Sequence, residues 1–141
     1  MKLSNLFFLF IIFNLFSCKR SDIDLSAGCV LKAQVNDKLF KEGPSDHLMI
    51  QNVELMGDCL TIEFGAGGCS GRSWELDLVG TESSTKDRIT QRSIRLSLKN
   101  PELCEAWFTQ SISFDISGLK VSKRDVILNL DGYDTPILYK K

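Results

Sequence analysis

The 141-residue chain sets 17 lysines and arginines against 18 aspartates and glutamates, a net charge of −1 at pH 7, with 43% hydrophobic residues. No basic surplus or stripe exists of the kind that neutralises a phosphate backbone, so the composition argues against a nucleic-acid partner. The length suits one domain with a core of its own, and no stretch reaches the ~20 apolar residues of a membrane-spanning helix.

Lys2 precedes an apolar run over residues 6–16, followed by Ser17-Cys18 and the basic pair Lys19-Arg20. A positive start, a short apolar run and a small residue before a cut site form a secretory signal peptide. An ordinary signal peptidase requires small residues at the first and third positions before the cut, and Leu15 does not fit the third. Leu15-Phe16-Ser17-Cys18 instead resembles the lipobox of bacterial lipoproteins, whose cysteine becomes the acylated first residue, although Phe16 is bulkier than that pattern usually carries. Residues 1–17 are therefore expected to be a lipoprotein signal peptide and Cys18 the lipidation site. More than one acyl chain there would hold the protein stably on a membrane. Residues 18–27 are polar, lack an apolar period and read as a tether. Residues 28–141 form the expected folded domain.

Within that domain, residues 29–35 alternate as a first strand with Leu31, Ala33 and Val35 on one side, and Asn36-Asp37-Lys38 reads as a turn. Residues 41–46 are loop by composition. Residues 47–56 suit either a short helix capped by Pro44-Ser45-Asp46 or a strand, and Gly57-Asp58 favours a hairpin into the next segment. There Leu60, Ile62 and Phe64 alternate with Thr61 and Glu63, a half-buried strand. Gly65, Gly67, Gly68 and Gly71 allow a tight corner, after which Trp74, Leu76 and Leu78 alternate with Glu75 and Asp77. Residues 80–88 read as a solvated loop. Ile94, Leu96 and Leu98 mark an amphipathic strand stopped by Asn100-Pro101. Phe108, Ile112, Phe114 and Ile116 line the inner side of another, on which Gln110 is the misfit. Residues 126–130 form a strand ended by Asp131-Gly132, and residues 136–139 a final edge strand. About eight short strands with turn signals between them predict an all-β fold, a single antiparallel β-sandwich of Ig-like type. A small lipocalin-like barrel is the alternative.

Cys29, Cys59, Cys69 and Cys104 form an even set in an exported chain, so two disulfides are expected, with three possible connectivities. Cys69 and Cys104 both fall in turn-like sequence between strands, which favours that pair and leaves Cys29–Cys59. No C-x₂-C spacing exists and His47 is the single histidine, so neither a metal nor a cofactor is implied. The glycine corner lacks the Gly-Lys-Ser/Thr and the following helix of a phosphate loop, and it reads as a tight corner in preference to an anion nest, which Arg72 beside it would suit. Asp46-His47 is an acid–histidine neighbour pair with no nucleophile elbow to serve, which points away from an enzyme. Trp107, next to Cys104, is the better candidate for an exposed aromatic. With Arg72 it makes the candidate binding surface, provided that the Cys69–Cys104 bridge joins their loops.

Gly57-Asp58, Gly67-Gly68-Cys69, Cys104-Glu105, Phe114-Asp115-Ile116-Ser117 with Leu119, and Leu128-Asn129-Leu130 before Tyr139 resemble small uncharacterised lipoproteins of Gram-negative envelopes. More distantly they resemble the β-sandwich part of NigD-like proteins, a family named for a bacteriocin-immunity context. The resemblance spans residues 48–139 and implies a β-sandwich with a Cys69–Cys104 bridge. Those lipoproteins often carry a histidine shortly after the Gly-Gly-Cys, where this chain has Ser70, Gly71, Arg72 and Ser73. The expected function is a non-enzymatic binding or accessory module, lipid-anchored in the cell envelope, most simply at the outer membrane. Its partner would be a protein or small ligand. The alternative is an immunity or inhibitor protein that blocks a toxin or peptidase.

Overall fold

Asn36 does not open a turn but caps a helix. Its Oδ1 accepts the Leu39 backbone N–H at 2.9 Å, and α1 runs over Asp37–Glu42. Asparagine suits a turn and an N-cap equally, and the choice is made from far along the chain. The Arg95 guanidinium donates to the carbonyl oxygens of Leu39, Phe40 and Pro44 at 3.0, 3.0 and 2.8 Å, and so adds to the Gly43 N–H that the Leu39 carbonyl already accepts at the end of α1.

The structure, a computed structural model, describes residues 28–86, 89–121 and 124–140. The expected signal peptide, Cys18 and the tether lie outside these residues. The strands are β1 (Leu31–Lys32), β2 (Gln34–Val35), β3 (Leu48–Met56), β4 (Cys59–Gly68), β5 (Glu75–Gly80), β6 (Ser84–Lys86), β7 (Ile89–Lys99), β8 (Ala106–Asp115), β9 (Val126–Leu130) and β10 (Ile137–Tyr139). They build two sheets. The first has the order β1-β8-β4-β3, and the second β10-β9-β7-β5-β2 with β6 also on β7. The sheets do not close into a barrel, so the sandwich holds and the lipocalin-like alternative does not.

Both sheets are mixed, because β1–β8, β2–β5 and β7–β9 pair in parallel. Alternation within a strand sets which face is buried but not the direction of a neighbour that arrives after a long connection. The expected first strand over residues 29–35 is divided for a related reason. Its β1 half joins the first sheet and its β2 half the second, so the chain changes sheets at Ala33. The expected loop over residues 80–88 contains β6, hairpinned onto β7.

The alternations themselves hold. Leu60, Ile62, Phe64, Leu78, Ile94, Leu98, Phe114 and Leu128 are fully buried between the sheets. Each such side chain contributes roughly 1.5–3 kcal/mol of burial. Gln110 does face inward, where it packs against Gly71, leaving no room for a β-carbon there. On the outer side of the second sheet, α1 and the loop after it cover Val79, Arg95 and Ser97, whose Oγ donates to the Pro44 carbonyl at 2.6 Å. Among the described residues, no helix covers the outer face of the first sheet in this way.

Candidate functional site

The register of the first sheet places Trp107 opposite Gly67 and Thr109 opposite Gly65. Since Phe64 and Ala66 point into the core, Gly65, Gly67, Trp107 and Thr109 point out. The Trp107 indole leans over Gly65 so closely that a β-carbon there would stand 2.5 Å from Nε1 and 2.7 Å from Cε2. The ring stays 48% exposed, and His47 tilts against it with the ring centres 6.2 Å apart. Met49, paired with Gly65 from β3, is 56% exposed beside them. Gln51 Nε2 donates to Thr109 Oγ1 at 3.2 Å and borders the patch on the polar side. His47, Met49 and Trp107 thus form an apolar platform on a glycine floor.

His47 is positioned from both sheets. The Asp46 backbone N–H donates to the Leu98 carbonyl at 3.0 Å, and the Asp46 carboxylate accepts the Asn100 N–H at 2.6 Å. Asn100 Nδ2 in turn donates to the Gly67 carbonyl at 2.6 Å. Asp46 is therefore committed to a backbone tie, and the imidazole next to it faces the indole.

The corner after β4 starts later than the glycines suggest. Gly65, Gly67 and Gly68 belong to β4, and of the four only Gly71 has a positive φ, +69°. Cys69 and Cys104 are bridged with Cα atoms 4.8 Å apart, and Cys29 and Cys59 with Cα atoms 5.7 Å apart. Inside the loop closed by the first bridge lies a residue that sequence reasoning missed. The Glu102 carboxylate accepts the backbone N–H groups of Cys69, Ser70 and Gly71 at 2.5, 2.8 and 2.9 Å and the Ser73 hydroxyl at 2.8 Å. The Ser70 and Gly71 N–H groups, foremost, hold this carboxyl well below the usual range. The corner is thus more than the tight turn expected: its N–H groups converge on an anion, and that anion is the chain's own carboxylate. Its signal was an acid within the span between the two cysteines.

Arg72 is exposed at the tip of this corner. The bridge holds the corner to the segment that leads into β8, where Trp107 is the second residue. Among the described residues no hydrogen bond or cation–π contact joins Arg72 to Trp107. The indole's ring neighbour is His47, which the sequence offers only as the first residue of a segment that suits a helix or a strand.

At the opposite end of β4, about 26 Å away for eight residues of strand, lies the Cys29–Cys59 bridge. A cleft of about 720 Å³ there is lined by Val30, Leu31, Lys32, Met56, Asp58 and Asp115, among others. Asp58 accepts the Tyr139 hydroxyl at 2.6 Å and pairs with Lys120 at 2.8 Å. Lys120 and then Tyr139 lower its pKa, while burial and Asp58 raise that of Tyr139. Several residues of the envelope-lipoprotein resemblance, Asp58, Asp115, Ser117 and Tyr139, gather here as structural ties. Asp115 accepts the Ser117 N–H at 2.9 Å, and the Ile116 N–H reaches the Asp58 carbonyl at 2.9 Å. No helix among the described residues is long and apolar enough to cross a membrane.

Neither a protein-family model nor a curated protein matches the sequence. Solved structures do match. One is a protein of unknown function, DUF1344, from Bacteroides vulgatus ATCC 8482, with a TM-score of 0.52 at 15% identity. It aligns over 79% of this chain and 57% of its own. A second, described as toxin-related, comes from Parabacteroides distasonis ATCC 8503, with a TM-score of 0.48 at 14% identity over 78% of this chain and 60% of its own. The chain thus spans less than two thirds of each. At such identities the likeness concerns the fold.

Proposed function

We propose that the protein is a lipid-anchored, non-enzymatic binding module of the bacterial cell envelope, held by Cys18 at the outer membrane. The reading is carried by one geometric relation. The segment that leads from Cys18 enters the fold beside the Cys29–Cys59 bridge, whereas the exposed His47, Met49 and Trp107 platform stands at the other end of β4. An anchor at one end and an apolar platform roughly 20–26 Å away is the arrangement of a module that offers a recognition face to a protein or small ligand. Two disulfides fit an oxidising compartment. The commitments of Asp46 to Asn100 and of Glu102 to the corner leave both carboxylates in structural work, which supports a binding role over catalysis.

The test is mass spectrometry of the mature protein from a membrane fraction. A first residue Cys18 carrying acyl mass is expected, and Cys18→Ala should leave an uncleaved or mislocalised precursor. A mature N-terminus elsewhere without acyl mass would refute the anchor.

A further inference from the structure

The end of the sandwich that carries Cys29–Cys59 has properties the fold does not need. Val30 is 71% exposed, Met56 50% and Leu31 38%, and all three line the same cleft. A soluble domain gains nothing by gathering half-exposed aliphatic side chains at one end. The acids of the cleft are each neutralised: Lys120 Nζ stands 2.8 Å from Asp58, and Lys32 Nζ 4.0 Å from Asp115. Lys140, next to the Tyr139 that bonds Asp58, adds an exposed cation at this end. The result is an apolar rim whose two cleft carboxylates each have a lysine within 4.0 Å, with Lys140 exposed beside them, chemistry that phospholipid headgroups and the acyl boundary below them accept.

We propose that this end rests on the bilayer surface, with Val30, Leu31 and Met56 at the headgroup boundary, so that the Trp107 platform is held pointing away from the membrane. The inference rests on the anchor reading above. Three aliphatic side chains are too few to hold a protein on a membrane alone, and the tether changes that arithmetic. Ten residues, 18–27, separate Cys18 from the fold and can span at most about 35 Å. Gly28, which lines the cleft, is thereby kept near the bilayer at an effective concentration on the order of millimolar, and a weak contact becomes the resting state. The domain then stands with one orientation relative to the bilayer.

The experiment uses the full lipidated protein in phosphatidylethanolamine–phosphatidylglycerol vesicles with brominated acyl chains, which quench indoles that approach them. The native Trp74 and Trp107 lie at the far end of the sandwich and serve as internal references. Wild-type fluorescence is expected to match that in unbrominated vesicles. Val30→Trp should show an added, blue-shifted emission that brominated lipid removes, and Met56→Trp, at another exposed position of the rim, should do the same. Flotation of the vesicles reads the anchor separately. Protein that floats while both introduced indoles stay unquenched overturns this inference and leaves the anchor standing. Protein without acyl mass that fails to float overturns the anchor and this inference together. Quenching of wild type to the same degree as the variants also overturns it, because the far end would then touch lipid.

Discussion

Gly65→Ala tests the platform at its floor. The three atoms nearest a β-carbon at this position all belong to the Trp107 indole, at 2.5 to 2.7 Å, well inside contact distance. The added methyl must therefore lift the ring off the sheet. A buried tryptophan removes 150–250 Å² from water, and with 48% of Trp107 exposed roughly half of that is at stake. At about 25 cal/mol per Å², and allowing for a compact unfolded chain, the displaced indole costs about 2 kcal/mol. Opposing this, alanine in place of glycine within a strand gains about 0.5–1 kcal/mol. The net expectation is a loss of about 1–1.5 kcal/mol, read from urea unfolding followed by circular dichroism so that the moved indole does not distort the signal. In a Trp107→Ala background the methyl meets no ring, and the same change should become stabilising by about 0.5–1 kcal/mol. A reversal of sign across the cycle is the signature. Gly65→Ala costing the same with and without Trp107 would refute the close approach and with it the platform.

Cys69→Ser or Cys104→Ser should lower stability by about 2–5 kcal/mol, and the double variant by no more than either, because the two residues act as one unit; non-reducing peptide mapping with urea unfolding checks both. Glu102 has a folded pKa below its unfolded value near 4.3, so its contribution is fully present at neutral pH and is lost as pH falls below about 4.5 toward the folded pKa. Glu102→Gln should therefore lower the thermal midpoint at pH 7 and flatten its decline between pH 4.5 and 3 relative to wild type; parallel curves would refute the carboxylate's role in the corner. Tyr139→Phe removes a hydroxyl bonded to Asp58 from a side chain only 2% exposed. Since Asp58 is half exposed and keeps Lys120, the expected loss is about 1 kcal/mol, with no change in fold by circular dichroism.

Period-two alternation determined the buried faces of β4, β5, β7 and β8, because a side chain's face in a strand depends only on its own position. The cysteine count and turn-like spacing pointed to the two bridges for a similar reason: corners are local, and a bridge needs only that two of them meet. Tertiary structure decided what depends on distant groups. Asn36 caps a helix because Arg95 receives its far end. Residues 29–35 divide because β8 and β5, in different sheets, claim the two halves. Parallel pairing follows from long connections that carry no periodic signal. The platform lay beyond sequence reading for the same reason. Glycines at 65 and 67 look like turn residues until β8 lays an indole across them, and nothing near His47 in sequence places it beside that ring, where Asp46 and Asn100 tie its backbone. Composition and period act within a few residues of chain, whereas a recognition face is made by strands that pair across it.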